Sequence, residues 1–149
     1  MPALRINHVS VHAPDLDASE RFYIELFGLE RIPAPYFDNP VRWLKVGDTQ
    51  LHLFQRPVDA PAAHHFALTV DDPEEVYRKA GERGALDRRE VRRLPDGSAQ
   101  FYLRDPAGNL LEINSPDADA LDRSLVGELV PIGGEEGGAP LPLEFPAAW

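Results

Sequence analysis

The chain has no cysteine among its 149 residues. That excludes disulfides, thiolate metal sites and a cysteine nucleophile, so any metal site must be built from His, Asp and Glu. A long apolar run is also missing, and the opening MPALRINHVS has neither the basic nor the apolar stretch of a signal peptide. The sequence therefore predicts a cytoplasmic protein with no membrane partner. There is no basic excess either: 15 Lys and Arg face 25 Asp and Glu, a formal charge of −10. Much of that charge is local, since Asp117 to Trp149 holds seven acids and a single base, Arg123. The remaining body is only mildly acidic, which argues against nucleic acid as a partner.

What is present begins with ordinary globular composition, 43% hydrophobic and 27% charged. Within it lies a repeat. INHVSV (6–11) reads as a strand, APDLD as a turn and helix cap, and SERFYIELFG (19–28) as an amphipathic helix with a glycine stop. The order recurs after Pro61, with HHFALTV as strand, DDPEE as cap and VYRKAGERG as helix. Setting His8 over His65 aligns Asp15 with Asp72, an offset of 57. Strand-like segments follow each helix. The first set includes VRWLKV (41–46) and TQLHLF (49–54); the second includes DRREVRRL (87–94), AQFYLR (99–104) and NLLEIN (109–114). Laying LHLF over LLEI puts His52 on Glu112 at an offset of 60, close enough to mark a duplicated unit.

Side chains alternate across a strand, and the helix-covered face of each sheet takes the large apolar residues. Val9, Val11, Leu51, Leu53, Phe66, Leu68, Leu111 and Ile113 then belong to the helix side. The same parity puts His8, His52, His65 and Glu112 on the opposite face, and assigns His64 to the helix side or solvent. A carboxylate on an otherwise apolar strand is costly unless paired or bound to a cation. Three imidazoles and a carboxylate suit a divalent first-row metal. A cupin-type site needs two His in one short motif, a spacing absent here.

NHVSVHAPDLDASERFYIELFGLE, LHLF, HHFALTVDD and above all DPAGNLLEIN resemble the vicinal oxygen chelate superfamily. That superfamily holds glyoxalase I, extradiol dioxygenases, and fosfomycin and bleomycin resistance proteins. The resemblance covers about residues 4–115. It implies an α+β fold of two βαβββ modules, about 4–57 and 62–116, forming a curled, cup-like mixed sheet with helices outside. Carried over, the metal ligands are His8, His52, His65 and Glu112. Glyoxalase I-like members usually have a carboxylate at the His52 position, whereas dioxygenases and fosfomycin-modifying members leave that position unligated.

The implied cofactor is a divalent metal ion (Zn, Ni, Co, Mn or Fe(II)), and the implied substrate a small molecule with vicinal oxygens. In a glyoxalase-like lyase or isomerase, Glu112 is the catalytic base beside the carbonyl, acting through a metal-chelated, enediolate-like anion. The alternatives are an Fe(II) extradiol-type dioxygenase on His8, His65 and Glu112, and a binder of small molecules or antibiotics without chemistry. Gln50, Tyr102, Asn114 and Arg42 are candidate pocket residues. Arg88, Arg89, Arg92 and Arg93 read as a solvated edge rather than an anion grip, and His12 as a loop residue at the rim. Residues 117–149 form an extension with a short helix capped at Asp117, a flexible GGEEGG and an apolar LPLEFPAAW. The resemblance further implies a homodimer.

Overall fold

The computed structural model describes residues 5–35 and 37–133. Its contacts divide it into two compact units: the described residues up to Phe66 with Arg104–Leu110, and Ala67–Leu103 with the described residues from Leu111 onward. The fold is mixed α+β with two sheets.

The first unit runs β1 (His8–His12), α1 (Leu16–Phe27), β2 (Glu30–Ile32), β3 (Val41–Val46) and β4 (Thr49–Phe54), in the sheet order β1-β4-β3-β2. Strand β4 is parallel to β1 and antiparallel to β3. The Asp15 carboxylate caps α1 by accepting from Ala18 N at 2.9 Å, satisfying a donor that the first helical turn leaves orphaned. Leu16, Phe22, Tyr23 and Leu26 form the buried stripe, and Gly28, at φ 65°, takes the left-handed turn that ends the helix. Beneath it Leu44, Leu51 and Leu53 are buried.

The chain then repeats itself as β5 (His65–Thr69), α2 (Pro73–Glu82), β6 (Arg92–Arg93), β7 (Ala99–Arg104) and β8 (Leu110–Ser115). The sheet order, β5-β8-β7-β6, matches that of the first unit with one strand added at the edge, β9 (Val130–Pro131). Strands β1 and β5 begin at the aligned residues His8 and His65, and Asp72 caps α2 by accepting from Glu75 N at 2.9 Å, as Asp15 caps α1. The duplication read from the sequence is therefore structural. The α2 side buries Val76, Tyr77, Phe101, Leu103, Leu111 and Ile113, with Tyr77 edge-on to Phe101.

Two segments differ from expectation. The strand expected over 87–94 is regular only at Arg92–Arg93, although Leu86 bridges to Leu103 and Asp87 N reaches Tyr102 O at 2.9 Å. Charged residues in succession give that stretch no apolar alternation to seat it. In the extension, the short helix α3 (Arg123–Val126) is capped by Asp122, not Asp117. Asp117 instead accepts from Asp119 N at 2.9 Å, and Ala118 N is held by Gly97 O, so the chain is committed to a turn there. Residues 134–149, which carry most of GGEEGG and all of LPLEFPAAW, lie outside the described residues.

Candidate functional site

In the first unit the register fixes which side chains share a face. His8 lies opposite Gln50, Ser10 opposite His52, and Trp43 opposite His52. His8, Ser10, His12, Trp43, Gln50, His52 and Phe54 therefore stand on the face turned away from α1. His12 ends β1 rather than lying in a loop. Arg42 has the other parity: it pairs with Glu20 and Asp17 on α1 at 3.3 and 3.5 Å, so it stands with the helix.

Three of these rings form a column. Trp43 and His52 are parallel within 1° at 4.0 Å, and His8 covers the other side of His52 at 4.3 Å and 16°. His52 is 5% exposed, and burial first, then the neighbouring His8, pushes its imidazole below the ordinary value. Its Nε2 donates to Gln50 Oε1 at 2.8 Å. His8 is exposed, and its Nδ1 donates to Asn7 Oδ1 at 2.9 Å. His65 makes the same choice of nitrogen, with Nδ1 donating to the Ala63 carbonyl at 3.1 Å. In a neutral ring that leaves the lone pair of His8 on Nε2. A groove of about 240 Å³ in this unit is lined by Ser10, His12, His64, His65 and Asn109. His64, exposed on the surface, shares that groove with His65.

The last part of the first unit is the turn Asp105–Asn109. Asp105 accepts from Tyr23 Oη and Asn109 Nδ2, both at 2.8 Å, and from the backbone of Ala107 and Asn109. Asn109 Nδ2 also reaches His12 O at 2.7 Å. The turn is thus fastened to α1 and to the end of β1, and the chain passes from it directly into β8.

In the second unit, Glu112 in β8 accepts from Tyr102 Oη at 2.6 Å, and Tyr102 in turn accepts from Gln100 Nε2 at 3.0 Å. Burial, then the Glu112 hydrogen bond and charge, push the phenol up to about 12, so it remains a donor at neutral pH. Arg92 lies opposite Gln100 and joins this polar row, with Nε donating to Glu90 at 2.5 Å. Arg93 pairs with Asp119, and Arg88 with Asp87 at 3.5 Å. Asn114, two residues beyond Glu112 in β8, is 6% exposed, and its Oδ1 finds no donor among the described residues.

Among the described residues no three His, Asp or Glu side chains form a ready metal cluster. The donor chemistry of the individual residues is still informative. A metal lies in the plane of the imidazole it binds, about 2.0–2.1 Å from the nitrogen. Two rings inclined by 16° with centroids 4.3 Å apart share no such point, so His8 and His52 cannot hold one ion in this arrangement. His8 Nδ1 and His65 Nδ1 each donate to an oxygen, the outer hydrogen bond that ligating histidines commonly make. In the second unit, Tyr102 orients the Glu112 carboxylate by donating to it. Taken singly, His8, His65 and Glu112 each offer a donor of the kind a divalent metal takes.

Residues 5–113 match the Glyoxalase/Bleomycin resistance protein/Dioxygenase superfamily. The chain belongs to that superfamily. It is 32% identical over 122 residues to the uncharacterized protein YwbC of Bacillus subtilis (strain 168), covering 74% of this chain and 96% of that protein. The lactoylglutathione lyase of Agrobacterium tumefaciens is similar in structure, with a TM-score of 0.59 and 29% identity over 76% of this chain and 95% of that one. The fosfomycin resistance protein FosX of Listeria monocytogenes shares the fold, with a TM-score of 0.65 at 15% identity over 76% and 91% of the two chains. Superfamily members with such different activities share this fold, so the reaction has to be argued from the site.

Trp43 is the member of this site that sequence reasoning passed over. Its signal was available: the tight turn at Gly47-Asp48 pairs Val46 with Thr49, which sets Trp43 opposite His52 by counting.

Proposed function

We propose that the protein is a divalent-metal-dependent enzyme of the glyoxalase-like type, a lyase or isomerase acting next to a carbonyl on a small substrate with vicinal oxygens. His8, His65 and Glu112 would hold the metal. The observation that carries this reading is the matching hydrogen bond of His8 and His65, aligned by the repeat, each Nδ1 donating to a neighbouring oxygen. A bound divalent cation would polarise two neighbouring substrate oxygens and acidify the adjacent C–H. Glu112, as a ligand that can loosen, would take that proton and return it to the neighbouring atom, with Tyr102 Oη donating to the carboxylate. With an imidazole at position 52, only one carboxylate base is available, so the transfer runs through Glu112 alone. Gln50 and Asn114 would serve substrate polar groups.

A second reading is favoured by the stacking of His52. Two histidines and a carboxylate without a fourth ligand are also the set of an Fe(II) dioxygenase with open positions for substrate and O₂.

Elemental analysis of anaerobically purified wild type beside His64→Ala and His65→Ala tests the site. Metal lost only with His65→Ala supports it, and equal retention in both variants refutes it. Zn, Ni, Co or Mn favours the lyase or isomerase. Oxygen-labile Fe(II) favours the dioxygenase, and a metal-free protein that still binds ligand would leave the non-catalytic binder.

A further inference from the structure

His8 is exposed and sits at the first position of β1, where a side chain ordinarily keeps its rotational freedom. Here two contacts remove it. The face of the ring rests on His52, and one edge is tied to Asn7 Oδ1. The first contact sets the ring plane and the second sets which nitrogen points away. His52 can serve as a platform only because it is itself fixed, buried and lying flat on Trp43, with Nε2 tied to Gln50. The register explains why the column needs all three rings. His8 pairs with Gln50 and not with His52, so it leans diagonally across the strand pair to reach the imidazole.

We propose that Trp43 and His52 are positioning residues, a stacked two-ring platform that aims His8 Nε2 at the metal without either ring binding it. This rests on His8 being a ligand, as proposed above.

The test is metal binding by metal-free protein, read by calorimetric titration with Zn(II) and by the visible spectrum of the Co(II) form. His52→Phe and Trp43→Phe keep a flat ring in the column. They are expected to bind within about threefold of wild type with an unchanged Co(II) spectrum, well short of the 10- to 100-fold that losing an orienting contact costs. His52→Ala and Trp43→Ala are expected to weaken Zn(II) binding by about 10- to 100-fold, still at one ion per chain. His8→Phe should abolish tight binding. If His52→Phe loses the ion as fully as His8→Phe, with an altered Co(II) spectrum in any residual complex, His52 is a ligand and the inference is wrong. Alanine variants that bind like wild type would also overturn it, because the platform would then be idle. Should circular dichroism show the alanine variants unfolded, the comparison of His52→Phe with His8→Phe decides alone. A wild type that binds no metal overturns the proposed function itself, and this inference with it.

Discussion

Tyr23 and Asp105 stand 82 residues apart in sequence and share a 2.8 Å hydrogen bond in the buried interior of the first unit. The phenol donates, and the carboxylate it reaches also gathers the side chain and backbone of Asn109. Burial first, then the charge of Asp105, raises the Tyr23 pKa well above its ordinary 10.0. The unfolded chain therefore gives up this proton at lower pH than the folded one. The contribution is fully present below about pH 10 and is lost as pH rises beyond it. Tyr23→Phe should cost about 1–3 kcal/mol at pH 7, because it withdraws a donor from a buried carboxylate. It should also flatten the alkaline loss of stability, and urea denaturation from pH 7 to 11 measures both. A variant that keeps the wild-type alkaline slope would mean that another group causes it.

The two helix caps should be of equal worth. Asp15 and Asp72 make the same bond at the same distance, 57 residues apart. Asp15→Ala and Asp72→Ala are each expected to lower stability by about 1 kcal/mol. Asn at either position should restore most of it. Caps that differ severalfold in chemical denaturation would show that the two copies carry different loads.

Removing the Tyr102 hydroxyl tests how Glu112 is held. Tyr102→Phe leaves the ring in β7 but withdraws the 2.6 Å donor from the carboxylate. Metal affinity is expected to fall by about tenfold. The thermal midpoint should move little, because the hydroxyl is half-buried rather than enclosed. An unchanged affinity would mean that Glu112 needs no orienting partner.

The protein is expected to be a homodimer. Light scattering coupled to size exclusion should report twice the 16.6 kDa chain mass, and a monomeric mass across the micromolar range would exclude it.

How much of this was legible in the sequence depends on the range of the interaction. His8 and His52 could be set on one face because alternation and a tight turn are local rules that hold strictly over a few residues. The duplicated caps were legible for the same reason, an Asp at a fixed offset ahead of an apolar stripe. The stacking of His8 on His52 was not, because it depends on a lean of two residues across a parallel pair, and no spacing encodes it. Counting from Trp43 places Arg42 with the helix, where it pairs with Glu20. The Tyr23–Asp105 bond joins the first helix to the turn before β8, so only the folded chain brings the two together. Asp117 and Asp122 are equally good caps by composition, and the backbone bond from Ala118 to Gly97 decides between them.

Strand β9 leaves one more mark on the molecule. Val130 N reaches Val91 O and Ile132 N reaches Arg93 O, both at 2.9 Å, so these two donors point inward to β6. The residue between them is Pro131, whose nitrogen would point outward and carries no hydrogen. An approaching strand finds no amide donor to pair with at that position, and the rim of the second sheet is a poor template for intermolecular β-growth. Replacing Pro131 with Val would supply the missing donor while keeping the strand, and its cost should appear in slow self-association at high concentration rather than in stability.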